Sequence, residues 1–186
     1  MKEIYKLLEN NPVIPGLKGD EDIAIVEKND AQIVFILYGD VAKIEDIVDR
    51  LKNAGKTVFV NMDLISGFSS KNEVMDFMKK RTRVDGVIST KASMLRYAKS
   101  IGLITVHRFF LIDSFSYESV QKQLEISGAD IVNVVPGWPK VVGWICDETT
   151  KPVIAAGLVC DRQSVIENLR VGAAAICTTS HSVWDM

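Results

Sequence analysis

The residues of this chain with the means to do chemistry fall at or near the ends of apolar runs. Asp40 closes QIVFILYGD (32–40), Asp63 lies at the end of TVFVNMDL (57–64), and Lys91 follows GVIST (86–90). His107 and Arg108 interrupt LITVHRFF (103–110), and Asn133 sits in DIVNVVPG (130–137). The last such stretch runs from Lys151 to Ser180: KPVIAAGLV, an amphipathic DRQSVIENLRVGA, then AAICTTS. It reads as strand, small-residue turn at Ala156-Gly157, helix, and a second strand ending in Thr178, Thr179 and Ser180. Backbone N–H groups of a glycine turn and a helix N-terminus favour anions, so this stretch predicts a phosphate pocket.

The other polar ends suit the same anionic ligand. Alternation puts His107 and Arg108 on opposite faces of their strand, and Arg108 is expected to look inward, with Asp63 as its carboxylate partner. His107 is then a satisfied core or interlayer histidine. Asp40 serves either as cap of the helix that begins at Val41 or as a ligand group. Asp63, too far from the next helix to cap it, is a site candidate, with a structural ion pair as the alternative. Ser89 or Thr90 would cap the following helix while Lys91 points toward the mouth. Thr178, Thr179 and Ser180 either bind the anion or cap. No second histidine accompanies a serine or cysteine nucleophile, no metal-ligand spacing or dinucleotide glycine pattern is present, and no lysine is placed mid-strand for a Schiff base. The sequence therefore predicts no catalytic residues, no cofactor and no metal.

Such ends need a scaffold that gathers strand C-termini. PVIPGL (12–17), 32–40, 57–64, 86–90, 103–110, 130–137 and the two strands of the last stretch make eight candidates. Helical patterns separate them, for example Val41, Ile44, Ile47, Val48 and Leu51 on one face, a stretch from Ser70 with Glu73 completing a capping box, and a single helix over SYESVQKQLEISGA (116–129). This alternation predicts one domain over 1–186, a compact (βα)8 TIM barrel in which phosphate binds after the seventh and eighth strands. The chain is shorter than the usual lower bound of about 200 residues. Only HSVWDM follows the last strand, so the eighth outer helix is expected to be short or missing, and a short helix over 1–11 to cover that gap or cap the barrel bottom. An open doubly wound sheet is the alternative.

Charge is balanced, with 22 Lys+Arg against 24 Asp+Glu, so a nucleic acid would need a local basic patch. Cys146, Cys160 and Cys177 have no CxxC spacing and read as reduced core thiols. No signal-peptide pattern or membrane span is read, so the expectation is a cytoplasmic protein without membrane contact, its oligomeric state left open.

Four stretches together, FVNMDLISGFSS, DGVISTKASMLRYAKSIGLITVHRFFLIDS, VPGWPKVVGWI and PVIAAGLV…AAAICTTS, resemble the glycerol-3-phosphate-responsive antiterminator family of glycerol uptake regulators. The similarity runs from about Pro12 to Trp184 and is most specific in ISTK followed by HRFFLIDS. The resemblance implies a TIM barrel that senses sn-glycerol 3-phosphate and, when liganded, binds leader mRNA to promote read-through of a terminator. It puts the phosphate turn on Ala156, Gly157 and Leu158, the hydroxyl-rich end on Thr178 to Ser180, and Asp63 and Arg108 in the mouth. The chain departs from the family pattern of two glycines at Ala156-Gly157, an acid near Asn133 and an arginine at Lys91.

Two functions follow as expectations. The first is a non-enzymatic, phosphate-sensing RNA-binding regulator, whose basic patch would be Lys79, Lys80, Arg81 and Arg83 at the end of the third helix. The alternative is a phospho-polyol or phospho-sugar isomerase or lyase with Asp40 or Asp63 as base, a reading that rests on fold analogy alone.

Overall fold

Runs rich in Val, Ile and Phe become eight parallel strands that close into a barrel, in sequence order around the ring. The computed structural model describes residues 2–186. The strands are β1 (Val13–Leu17), β2 (Ile33–Ile36), β3 (Thr57–Asn61), β4 (Gly86–Ser89), β5 (Ile104–Phe110), β6 (Ile131–Val135), β7 (Val153–Ala156) and β8 (Ala175–Thr178). Closure is made by β8 on β1, with Val13 opposite Ile176 and Pro15 opposite Thr178. The open-sheet alternative is thereby ruled out.

The near-continuous apolarity of these strands reflects burial on both faces. Ile14, Phe35, Phe59, Ile88, Val106, Ile131 and Ile154 fill the barrel. Their neighbours Val34, Val58, Val87, Val132 and Ile176 point the other way, into the layer under the helices. Phe35 and Phe59 meet at 5.4 Å between centroids, and each buried ring contributes about 2–3 kcal/mol. Phe59 also dictates Gly86, where a Cβ would lie 2.4 Å from the ring edge.

The helices are α1 (Lys2–Glu9), α2 (Asp20–Val26), α3 (Ile44–Asn53), α4 (Asn72–Arg81), α5 (Ala92–Ser100), α6 (Ser114–Glu118), α7 (Val120–Ser127), α8 (Pro139–Glu148) and α9 (Arg162–Arg170). In α3 the expected face is buried through Ile44, Ile47, Val48 and Leu51, with Glu45 and Asp46 in the first turn and Arg50 and Lys52 in the last, as the helix dipole favours. Ile4 and Leu8 of α1 are buried with the residues that fill the barrel, so this helix acts as a cap. After β8 the chain makes only a 3₁₀ turn, His181–Val183. Val183 and Trp184 are buried there, and the Trp184 indole N–H donates to the Thr178 carbonyl at 2.9 Å. This turn stands where an eighth outer helix would lie.

Several local expectations are corrected. β3 stops at Asn61, because the Asn61 Oδ1 accepts the Asp63 N–H at 3.1 Å and turns Met62–Leu64 into a 3₁₀ segment. Ser70 and Glu73 form no capping box, since α4 begins after Lys71 with no side-chain cap. The capping boxes are instead Asp113 with Ser116 on α6 and Asp161 with Ser164 on α9. The helix expected over 116–129 begins earlier and is two helices, meeting at Ser119. Cys160 is exposed rather than a core thiol, while Cys177 is buried and Cys146 partly so.

Candidate functional site

The strand C-termini form a mouth whose two sides differ in how their polar groups are satisfied. On the β7 side, the turn after Ala156 has Gly157 at φ +71° and Leu158 at φ +59°. Glycine at 157 is required twice, by that dihedral and because a Cβ would lie 2.9 Å from the Val135 Cγ1. Leu158 has no such excuse: a bulky side chain in the left-handed region, 84% exposed, is the kind of backbone strain that concentrates at binding sites.

Side chains and backbone from three neighbours tie the carbonyls of this turn outward. The Gly137 N–H donates to the Gly157 carbonyl at 2.9 Å, the Thr178 hydroxyl to the Val159 carbonyl at 2.6 Å, and the Ser180 hydroxyl to the Cys160 carbonyl at 3.1 Å. Asn168, buried on α9, fixes the Gly137 loop through its carbonyl at 2.9 Å. Among the described residues, the N–H groups of Leu158, Val159, Cys160 and Thr179 donate no backbone hydrogen bond. A loop with its acceptors engaged and its donors unengaged is an anion cradle. Thr178 and Ser180, expected as ligand hydroxyls, brace the turn instead, whereas Thr179 stays exposed beside it.

A cavity of about 110 Å³ opens below this turn, walled by Phe35, Leu37, Cys177, Arg108 and Asn133. Arg108 points inward, on the face opposite His107, beside Asn133 in the neighbouring strand. The expected Asp63 counter-ion is not there. Arg108 joins no ion pair among the described residues, and its Nε is buried with no hydrogen-bond partner. Burial pushes its pKa down, opposed by the nearby Cys177 and Asp63, yet a guanidinium remains cationic in a protein. Its carbon lies 5.2 Å from the centroid of Phe110. Asn133 donates to the Ile154 carbonyl at 3.0 Å, which fixes its amide plane in the wall. Burial pushes the Cys177 thiol up to about 12, so it is a neutral wall and no nucleophile. The N-terminus of α9 is capped by its own Asp161, which accepts from the Ser164 N–H at 2.8 Å. Positive charge for an anion therefore comes from Arg108.

The opposite side is closed on itself. Asp63 accepts from the Ser89 hydroxyl at 2.9 Å, the Thr90 N–H at 2.6 Å and the Thr90 hydroxyl at 2.9 Å, with the Lys91 Nζ at 3.8 Å. Lys91 also donates to the Ser70 hydroxyl. Ser89 and Thr90 thus hold Asp63 rather than cap α5, which starts after Lys91 without a side-chain cap. Asp40 accepts from the N–H groups of Ala42 and Lys43 at 2.9 and 3.0 Å, in the turn that leads into α3. His107 is interlayer, with Nδ1 3.0 Å from the Ser127 hydroxyl and Nε2 3.3 Å from the Thr90 carbonyl. Burial lowers its pKa to about 4, so it is neutral near pH 7. The basic patch at the end of α4 is largely engaged too: Lys79 donates to the Gly102 carbonyl, Arg81 lies 3.9 Å from Glu45, and Arg83 binds Asp49 and Asn53.

Sequence reasoning missed Phe35, Leu37 and Cys177 as cavity walls, Asn61 as the residue that aims Asp63, and Phe110 under Arg108. The signal for Phe110 was available, since residues two apart on a strand share a face.

Fold and site together define a TIM barrel whose mouth holds a turn with unengaged N–H groups and an inward arginine with a buried, unpartnered Nε and, among the described residues, no paired nucleophile and base. Residues 13–184 match the model of the glycerol-3-phosphate responsive antiterminators, and the chain belongs to that family. It is 40% identical over 184 residues to the uncharacterized protein YgcP of Escherichia coli (strain K12), covering 98% of this chain and 96% of that one. Among solved structures it is similar to the glycerol uptake operon antiterminator regulatory protein of Listeria monocytogenes str. 4b F2365, with a TM-score of 0.91, 26% identity, and 95% and 96% of the two chains covered. A glycerol uptake operon antiterminator-related protein of Thermotoga maritima MSB8 aligns with a TM-score of 0.84 and 36% identity, over 95% and 99% of the chains. No helix among the described residues is long and apolar enough to cross a membrane.

Proposed function

We propose that this protein senses sn-glycerol 3-phosphate at the β7–β8 end of its barrel and, once liganded, acts in the cytoplasm on a leader mRNA to promote transcription antitermination of glycerol-utilisation genes. The observation that carries the ligand half is the inward Arg108, its buried Nε without a partner, in a cavity roofed by unengaged backbone N–H groups. A partly buried guanidinium with its Nε shut away from any partner is costly, and a phosphate there satisfies it and the cradle together. The N–H groups of Leu158, Val159 and Thr179 then hold phosphate oxygens, Arg108 supplies the charge, and Asn133 faces the polyol end. Turnover has no support in the same geometry: Asp40 is engaged in a turn, Asp63 is held by Ser89 and Thr90, His107 lies in the interlayer, and burial keeps the Cys177 thiol protonated. Family membership supports the regulatory half.

Thermal unfolding in a panel of sn-glycerol 3-phosphate, glycerol, inorganic phosphate and triose phosphates tests the ligand. At a hundred times its dissociation constant, glycerol 3-phosphate should add about 2.7 kcal/mol of stability. Glycerol should add none and inorganic phosphate less. The absence of any shift with every phosphate compound would sink the reading.

A further inference from the structure

Arg108 borders two spaces. One is the anion cavity; the other is an open groove of about 670 Å³ beside α6 and α7, lined by Phe110, Phe115, Ser119, Lys122 and Gln123. Phe110 is 53% and Phe115 81% exposed, large ring faces with no apolar cover. Around them stand two cations, Arg108 and Lys122, one acid, Glu118, and the amide and hydroxyls of Gln123, Ser116 and Ser119. Across α6 the pattern repeats: Trp138 and Trp144 are exposed, and the Lys140 Nζ lies 5.5 Å from the Trp144 ring centroid.

Resting on the reading above, we propose that this groove seats an unpaired base of single-stranded RNA, and that Arg108 makes the seating depend on the ligand. Aromatic faces interleaved with cations and amides are the chemistry that stacks bases, reads their edges and meets the flanking phosphates. At the end of α4, by contrast, Arg81 and Arg83 pair with Glu45 and Asp49, and Lys79 donates to the Gly102 carbonyl. The guanidinium over Phe110 occupies a ring face that a base would need. An anion in the cavity draws the guanidinium to itself and frees that face. Ligand and RNA are then coupled through one side chain, and each must strengthen the other by the same factor.

The test uses fluorescence anisotropy with a labelled random-sequence single-stranded RNA pool, with and without saturating sn-glycerol 3-phosphate. The wild-type protein should bind RNA more tightly with the ligand. Phe110→Ala with Phe115→Ala should weaken RNA binding at least roughly tenfold, since each stacked base is worth about 1–3 kcal/mol, while glycerol 3-phosphate binds no more weakly than to wild type, because the ring that holds the guanidinium away from the anion is gone. Lys122→Gln should lower the salt slope of RNA binding by about 0.7. Arg108→Lys, which keeps charge but loses the plane, should abolish the ligand dependence. Both phenylalanines are exposed, so an unchanged unfolding midpoint is expected for the double variant. Undiminished RNA binding by that variant would overturn the groove and leave the antiterminator reading standing. Absence of RNA binding by liganded wild type would overturn both. A double variant that turns a dimer into a monomer in sedimentation would assign the groove to a second copy of the chain and overturn the proposal.

Discussion

The β3–β4 side of the mouth and the β7–β8 side are built from the same vocabulary of hydroxyls, acids and cations, and they end in opposite states. Around Asp63 every acceptor has found a donor within the chain: Ser89, Thr90 and Lys91 converge on one carboxylate. Around Gly157 the hydroxyls of Thr178 and Ser180 take the carbonyls and leave backbone N–H groups and the Arg108 Nε unengaged. Polar content alone does not mark a binding site; unmet hydrogen-bonding capacity in a buried place does.

The contrast can be broken most sharply at Arg108. Arg108→Met should weaken glycerol 3-phosphate by roughly thirtyfold or more, the ~2–5 kcal/mol expected when a buried charged pair loses one partner. The same variant should unfold no more easily than wild type without ligand, because a partly buried guanidinium with an unpartnered Nε has been removed. Calorimetric titration paired with denaturant unfolding checks both halves.

On the self-satisfied side, His107 predicts a pH dependence of stability without one of ligand affinity. Its folded pKa, about 4, lies below its unfolded value, so the unfolded chain binds the extra proton first. Stability contributed by the neutral imidazole is full above pH 6.5 and is lost as pH falls toward 4, by up to about 3 kcal/mol in total. His107→Gln should flatten that part of the stability profile in urea titrations across this range.

Asp63→Asn should cost about 1–3 kcal/mol of stability, the loss of charged hydrogen bonds to Thr90 and Ser89, and leave ligand affinity within about threefold. A much larger loss of affinity would return Asp63 to the site. The smallest effect belongs to Asp40→Ala, about 1 kcal/mol in stability from the lost turn at Ala42 and Lys43, with no change in ligand binding.

The barrel was legible because burial on both faces writes strands as unbroken apolar runs, and alternation within ITVHRFF separated Arg108 from His107, although the Asp63 pairing that pointed Arg108 inward does not form. What escaped was set by distances between strand ends. That Asp63 faces Ser89 and Thr90 rather than Arg108 depends on Asn61 ending β3 one turn early through its own side chain, and DLI reads equally well as the tail of a strand. Thr178 and Ser180 were recognisable as site residues, but not as braces, because their acceptors lie 19 and 20 residues earlier in the chain. Cys160 read as core because it follows VIAAGLV, yet the strand had already ended at Ala156.

Thr178 joins the cradle to the turn that follows the last strand: its hydroxyl holds Val159 while its carbonyl takes the Trp184 indole, whose ring lies 4.4 Å from that of His181. Trp184 is buried, unlike Trp138 and Trp144. The protein thus carries its own optical gauge. Emission from the one shielded indole reports the tightness of the brace from Thr178 to the Val159 carbonyl, and quenchers that reach the two exposed rings leave that signal to be read alone.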